Sequence, residues 1–234
     1  MSERIDLTIP TSWKEVTREQ LAVIASLMNE QLTREETLFV LFCRLAGLKH
    51  EGMGMFRTTD WQRIRLETWQ LSDFCGRLAY ILDEMPCDIV NPTRVNRYLD
   101  DISFGAYFHA DALMYRYRTE KDPDLVRRAL DDLGDHRRGA SQQFANEVSL
   151  WWAGVQQWLR LQYPAVFDGD GGGDADGYDP LKARQNIMLM LNNDSPQDNE
   201  RIERSKAHDV LAALQHRIEQ AKRIEEQMKR HGQP

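Results

Sequence analysis

Apolar and polar positions alternate along this chain with a period that is helical almost throughout. From Ser141 to Phe167, Phe144, Val148, Trp151, Val155 and Trp158 recur at spacings of four and three, which places them on one helical stripe. Trp152 and Leu159 widen that stripe into the face of a buried helix, and Pro164 ends it. Three of the six tryptophans lie here, so the segment is expected to be the central core helix.

The same period predicts further helices on either side. Thr17 with Gln20 and Thr33 with Glu36 form two capping boxes. They open helices that carry Leu21, Ile24, Ala25 and Met28, and then Leu38, Leu41, Phe42 and Leu45, with Gly47 as the second helix's stop. A helix from Trp61 is read through Ile64, Leu71, Cys75, Leu78 and Leu82, although the alternation of Ile64 and Leu66 also suits an extended start. Ser103 caps a helix bearing Phe104, Tyr107, Phe108 and Tyr115, and Asp122-Pro123 starts another. Period-two alternation is confined to the beginning. Ile5, Leu7 and Ile9 read as a short strand, against which Met53 to Arg57 is placed as an antiparallel partner. The expected fold class is mainly α: a compact helical domain with one or two short N-terminal strands, followed by a long C-terminal helix.

Composition sets a boundary in this pattern. The stretch from Asp168 to Asp179 is almost entirely aspartate and glycine and reads as a linker. It divides a helical core domain, 1–167, from a helical tail, 180–234. The charge is divided as well: residues 1–179 carry 20 basic and 29 acidic side chains, the tail 10 and 8. An acidic body argues against nucleic acid and for protein partners. No apolar run is long enough to span a bilayer, and MSERIDLTIP has charges where a signal peptide needs an apolar run. Three cysteines without a CxxC pair fit reduced thiols, so a cytoplasmic location is expected.

Candidate chemistry changes this picture little. Against the calcium-loop pattern, Asp168, Asp170 and Asp176 fall at positions one, three and nine, with Gly173 at the obligatory glycine. Position five is Gly172 and position twelve is Asp179 rather than glutamate, which favours a solvated hinge over a calcium-responsive module. The six histidines lack metal-ligand spacing, and no GxSxG or phosphate-loop motif is present. The expectation is a protein without cofactor or catalysis.

The last helix, expected to run from Pro196 to about His231, carries the best-defined signal. Ala207, Leu211, Leu214, Ile218, Ala221 and Met228 follow a four-three seam broken at Glu225 and flanked by Val210 and Ile224. Such a seam either closes on its own body or docks on another chain. Leu211, Leu214, Ile218, Ala221 and Met228 are accordingly the candidate partner-binding residues, for another protein or for a second copy of the chain. Lys222, Arg223, Lys229 and Arg230 leave a small nucleic-acid-binding regulator as a further alternative.

Three segments carry a resemblance. They are the opening IDLTIPTSWKEVTREQLAVIASLM, the middle ISFGAYFHADALMYRYRTEKDPDLVRRALDDL, and the tryptophan helix ending in LRLQYPAVF before an acidic gap and a charged helical tail. Together they resemble small proteins encoded among prophage tail genes near the tape-measure gene. That resemblance implies a tail assembly chaperone, a cytoplasmic factor that holds the long helical tape-measure protein while tail tubes polymerise. It assigns a role to no individual residue.

Overall fold

A computed structural model describes residues 7, 9–28, 30–167, 180–192 and 195–231. The fold is mainly α with one small antiparallel sheet near the N-terminus. Two compact units are distinguished, Met1–Pro92 with Asn146–Gly154, and Thr93–Ala145 with Val155–Pro234.

In the first unit, α1 (Arg18–Leu27) and α2 (Arg34–Leu45) both start on the expected capping boxes. The Thr17 hydroxyl accepts from Gln20 N–H while Gln20 Oε1 accepts from Thr17 N–H at 2.9 Å, and Thr33 with Glu36 repeats the exchange. α1 buries Leu21, Ile24, Ala25 and Leu27; α2 buries Leu38, Leu41, Phe42 and Cys43. Gly47, at φ +64°, ends the second helix as expected.

The strands differ from expectation. Leu7 and Ile9 belong to no strand, and Ile5 lies outside the described residues. The sheet is instead local: β1 (Lys49–Gly52), β2 (Met55–Arg57) and β3 (Arg63–Arg65), in that spatial order. Met55 to Arg57 pairs with its sequence neighbours on both sides because short hairpin loops cost far less closure entropy than reaching back to residue 7. His50, Phe56 and Ile64 share the inner face, where Phe56 is fully buried against Phe39 and Phe42.

The helix read from Trp61 therefore begins later, as α3 (Thr68–Arg77), and α4 (Tyr80–Asp83) follows as a separate turn. Phe74 of α3 stacks on Phe42 at 5.0 Å. Trp13 packs edge-on against Tyr80 and donates its indole N–H to the Glu84 carbonyl at 3.3 Å. The Asn146–Gly154 stretch completes this unit. It supplies the buried Trp151 and Trp152, an Asn146 amide that donates to the Ala25 carbonyl at 3.1 Å, and a Glu147 that meets Arg18 at 2.9 Å. Gly154 allows a close approach, since a Cβ there would stand 3.0 Å from the Ile89 Cγ2 and 3.4 Å from the Pro86 carbonyl oxygen.

The second unit opens with α5 (Phe104–Glu120) and α6 (Pro123–Asp132), an antiparallel pair started by Ser103 and Asp122 as the sequence predicts. Asp135, buried just after α6 in the chain, accepts from Arg94 N–H at 3.0 Å and from the Arg137 guanidinium at 2.9 Å. Burial alone would raise this carboxyl's pKa. The bonds from Arg137 and Arg94 outweigh that effect and hold it below the ordinary range.

Next come α7 (Gln142–Gln162), capped by Ser141, and the short α8 (Pro164–Phe167). α7 is the expected tryptophan helix, but its middle, Asn146–Gly154, belongs to the first unit and its ends to the second. Trp158 is half-buried rather than a core residue, because it lies against Tyr98 at 5.1 Å near the surface.

α9 (Pro180–Leu191), α10 (Pro196–Arg204) and α11 (Ala207–His231) close the chain. The single helix expected from Pro196 is broken at Ser205, whose backbone is extended. Phe104 N–H donates to the Ser205 carbonyl at 2.8 Å and Ala207 N–H to the Ile102 carbonyl at 2.9 Å. This two-residue ladder, paired at Ser103 and Lys206, takes over the main-chain bonds that a continuous helix would have used.

The unit boundaries differ from a division at 168–179. Residues 180–192 and 195–231 belong with α5 and α6, and Met188, Leu191, Ile202, Val210, Leu211 and Leu214 are all buried. The Asp168–Asp179 segment, expected as a linker, lies outside the described residues.

Candidate functional site

The seam residues of the last helix occupy two different environments. α11 is fixed at its start. Besides the Ala207 bond to Ile102, His208 Nδ1 shares a hydrogen bond with the Tyr163 hydroxyl at 2.8 Å, and its Nε2 bonds the Tyr98 carbonyl. Trp158 packs edge-on against this ring at 5.5 Å. Burial pushes the Tyr163 hydroxyl's pKa up, and the Asp209 and Asp100 carboxylates add to the shift, so the phenol keeps its proton.

Along the first two turns Ala207, Val210, Leu211 and Leu214 are buried. Leu211 and Leu214, candidates for contact with another chain, are thus taken up within their own unit. Ile218 is half-buried, and the Arg217 guanidinium donates to the Met190 carbonyl of α9.

Beyond that point the helix leaves its support. Every residue from Ala221 to Arg230 is exposed, including Ile224 at 44% and Met228 at 67%. Ala221 and Met228 therefore remain open, and Ile224, a flanking position in the sequence reading, joins them. Glu225 interrupts the seam but is paired: Lys229 meets it at 2.6 Å one turn on. That bond holds the glutamate below its ordinary pKa and the lysine above its own. The open half-helix presents Ala221, Ile224 and Met228 as an apolar stripe among charges, a surface suited to a second helix or a groove.

The calcium candidates Asp168, Asp170, Asp176 and Asp179 lie outside the described residues. Among the described residues no group of three His, Cys, Asp or Glu side chains is arranged to hold a metal ion. Among them also, no helix is long and apolar enough to cross a membrane. Of the four tail cations, Lys229 is tied to Glu225, and Lys222, Arg223 and Arg230 project from the exposed end of α11.

The sequence reading missed a second exposed set, Met53, Trp61 and Trp69 around the sheet. The available signal was turn chemistry: Met-Gly stands where a hairpin favours Asn-Gly. No protein family, curated protein or solved structure matches the chain.

Proposed function

We propose that this chain is a non-enzymatic, cytoplasmic assembly factor that holds a long helical protein, as a phage tail assembly chaperone holds a tape-measure protein. One observation carries this reading. The apolar stripe of α11 continues past the point where its own unit stops covering it, leaving Ala221, Ile224 and Met228 open on a helix anchored at the other end. A partner helix laid along that stripe would bury about 1.5–3 kcal/mol for each large apolar side chain. The resemblance of the opening, middle and tryptophan segments to tail assembly proteins supplies the partner class, and the acidic body supports a protein partner over nucleic acid.

The test is co-expression with fragments of a long helical tape-measure reading frame, followed by purification of the complex. Ile224→Glu with Met228→Glu should abolish co-purification while the melting temperature of the free chain stays within about two degrees, as expected for exposed positions. Retention of the complex in this variant would remove α11 as the docking element. Concentration-dependent mass in the wild type, lost in the variant, would make a second copy the occupant instead.

A further inference from the structure

The small sheet of the first unit carries a second surface, and its turns are built from unfavourable residues. Between Gly52 and Met55 the loop is Met53-Gly54, with φ at 47° and 73°. Two left-handed residues in a two-residue loop call for Asn-Gly or Gly-Gly. Gly54 is required there, since a Cβ would come within 2.8 Å of the Leu66 carbonyl. Met53 is the anomaly.

The second turn repeats the pattern. Thr58 N–H donates to the Gln62 carbonyl at 2.9 Å and Trp61 N–H to the Thr58 carbonyl at 3.1 Å, which encloses a three-residue loop that ends in Trp61 at φ 66°. Glycine or asparagine is favoured at that left-handed position. Neither side chain is buried in recompense, for Met53 is 98% and Trp61 75% exposed. Trp69, in the first turn of α3, is 70% exposed, and the Leu66 to Gly54 bond at 2.9 Å brings that part of the chain to the Met53 turn.

The outer face between the two turns is cationic. Register aligns Lys49, Arg57 and Arg63 across the three strands, with Arg65 opposite Met55. The row crosses the ribbon in roughly 10 Å. Like charges directly opposite are unfavourable in a sheet. Glu51 offsets them in part, at 3.2 Å from both Arg57 and Arg63, and Glu67 lies 3.5 Å from Arg65. The Arg57 guanidinium sits 4.5 Å over the Trp61 ring. The result is a patch of cations and exposed indoles on a chain whose net charge is −7.

We infer that this ribbon is a docking surface for an acidic polypeptide segment that carries aromatic or apolar side chains. Carboxylates of the segment pair with the Lys49–Arg57–Arg63 row and Arg65, and its apolar side chains cover Trp61, Met53 and Trp69. Tryptophan, methionine and arginine are the residues enriched where proteins meet. A polypeptide fits better than a nucleic acid because Glu51 and Glu67 stand among the arginines, where they would repel a continuous run of phosphates. The turns explain themselves on this reading: residues costly to the free ribbon are kept for contact. This surface belongs to the first unit, whereas α11 belongs to the second.

The probe is a random glutamate–tyrosine copolymer, titrated against the full chain at low salt, with polyglutamate, a twenty-residue oligothymidylate and phosphatidylserine vesicles in parallel. The wild type should bind the copolymer more tightly than any of the three. Arg63→Glu with Arg65→Glu should weaken binding at least tenfold, whereas the charge-matched Arg118→Glu with Arg138→Glu should change it less than twofold. Trp61→Asn should also weaken binding at least tenfold while the melting temperature holds or rises, because asparagine suits the left-handed position. No copolymer binding, tighter binding of the oligonucleotide or vesicles, or a Trp61→Asn variant that binds normally would each overturn the inference. A Trp61→Asn variant that melts lower would overturn it too, by making the indole structural.

Discussion

Truncating one buried and one exposed residue of the same seam tests how α11 is divided. Leu211 is 1% exposed, so Leu211→Ala removes a fully packed side chain and leaves a cavity, at a cost of about 2–5 kcal/mol. For a chain of this length each kcal/mol shifts the melting temperature by roughly 2–4 °C, so a loss of about 4–20 °C is expected. Met228→Ala, two to three heptads further on, removes a side chain already in water and should stay within about 0.5 kcal/mol, or roughly two degrees. Thermal melts followed by circular dichroism at 222 nm give both numbers on the same preparation, and low protein concentration keeps any self-association out of the comparison. A Leu211→Ala shift below two degrees would refute the packing of the first half of α11. A Met228→Ala shift as large as that of Leu211→Ala would mean the distal half is covered in solution.

Other substitutions probe each unit separately. Arg18→Ala leaves the buried Glu147 without its cation and should cost about 1–3 kcal/mol, largely recovered by adding Glu147→Gln, as a urea-denaturation cycle would show. Trp151→Ala should cost roughly 3–5 kcal/mol and Trp158→Ala clearly less, since the first is fully buried and the second is not; equal losses in denaturant melts would contradict that placement. Burial pushes the Cys43 thiol up to about 11, with the neighbouring Cys75 adding to the shift. The folded protein thus holds this proton where the unfolded chain has lost it, and stability should fall as pH climbs from about 9 to about 11. Cys43 should accordingly resist iodoacetamide at pH 8 until urea is added, as read by mass spectrometry of the labelled peptides.

Helices were legible in this sequence wherever a local signal and a periodic one agreed. Thr17, Thr33, Ser103, Asp122 and Ser141 each announce a helix by a bond that their own side chains make, so four or five residues suffice to see it. The sheet was legible only in part. Its inner face holds just His50, Phe56 and Ile64, one residue per strand, too few for alternation to show. The break at Ser205 was not legible, because nothing local forces it. The chain leaves the helix so that the Ser205 carbonyl can accept from Phe104 N–H and Ala207 N–H can donate to Ile102, about a hundred residues away in sequence. The division of the tryptophan helix between two units was hidden for the same reason: periodicity reports that a face is covered and says nothing of which neighbour covers it.

The same limit governs the candidate site. A heptad seam is a demand for burial, and from Ala207 to Leu214 the second unit meets that demand, with His208 and Arg217 bonded to the chain around them. From Ala221 onward the demand is unmet. What separates the halves is reach: at about 1.5 Å per residue, ten residues past Ala221 carry the helix about 15 Å beyond its last covered turn. A helix that served only its own unit would have no reason to keep Ile224 and Met228 on the open stripe, since polar residues there would cost nothing in the free chain and would improve its solubility. Glu225, bonded to Lys229, then has a natural place as well. It is a charge that a partner helix must meet or avoid, which sets the register of docking in the way that polar residues at seam positions do in paired helices.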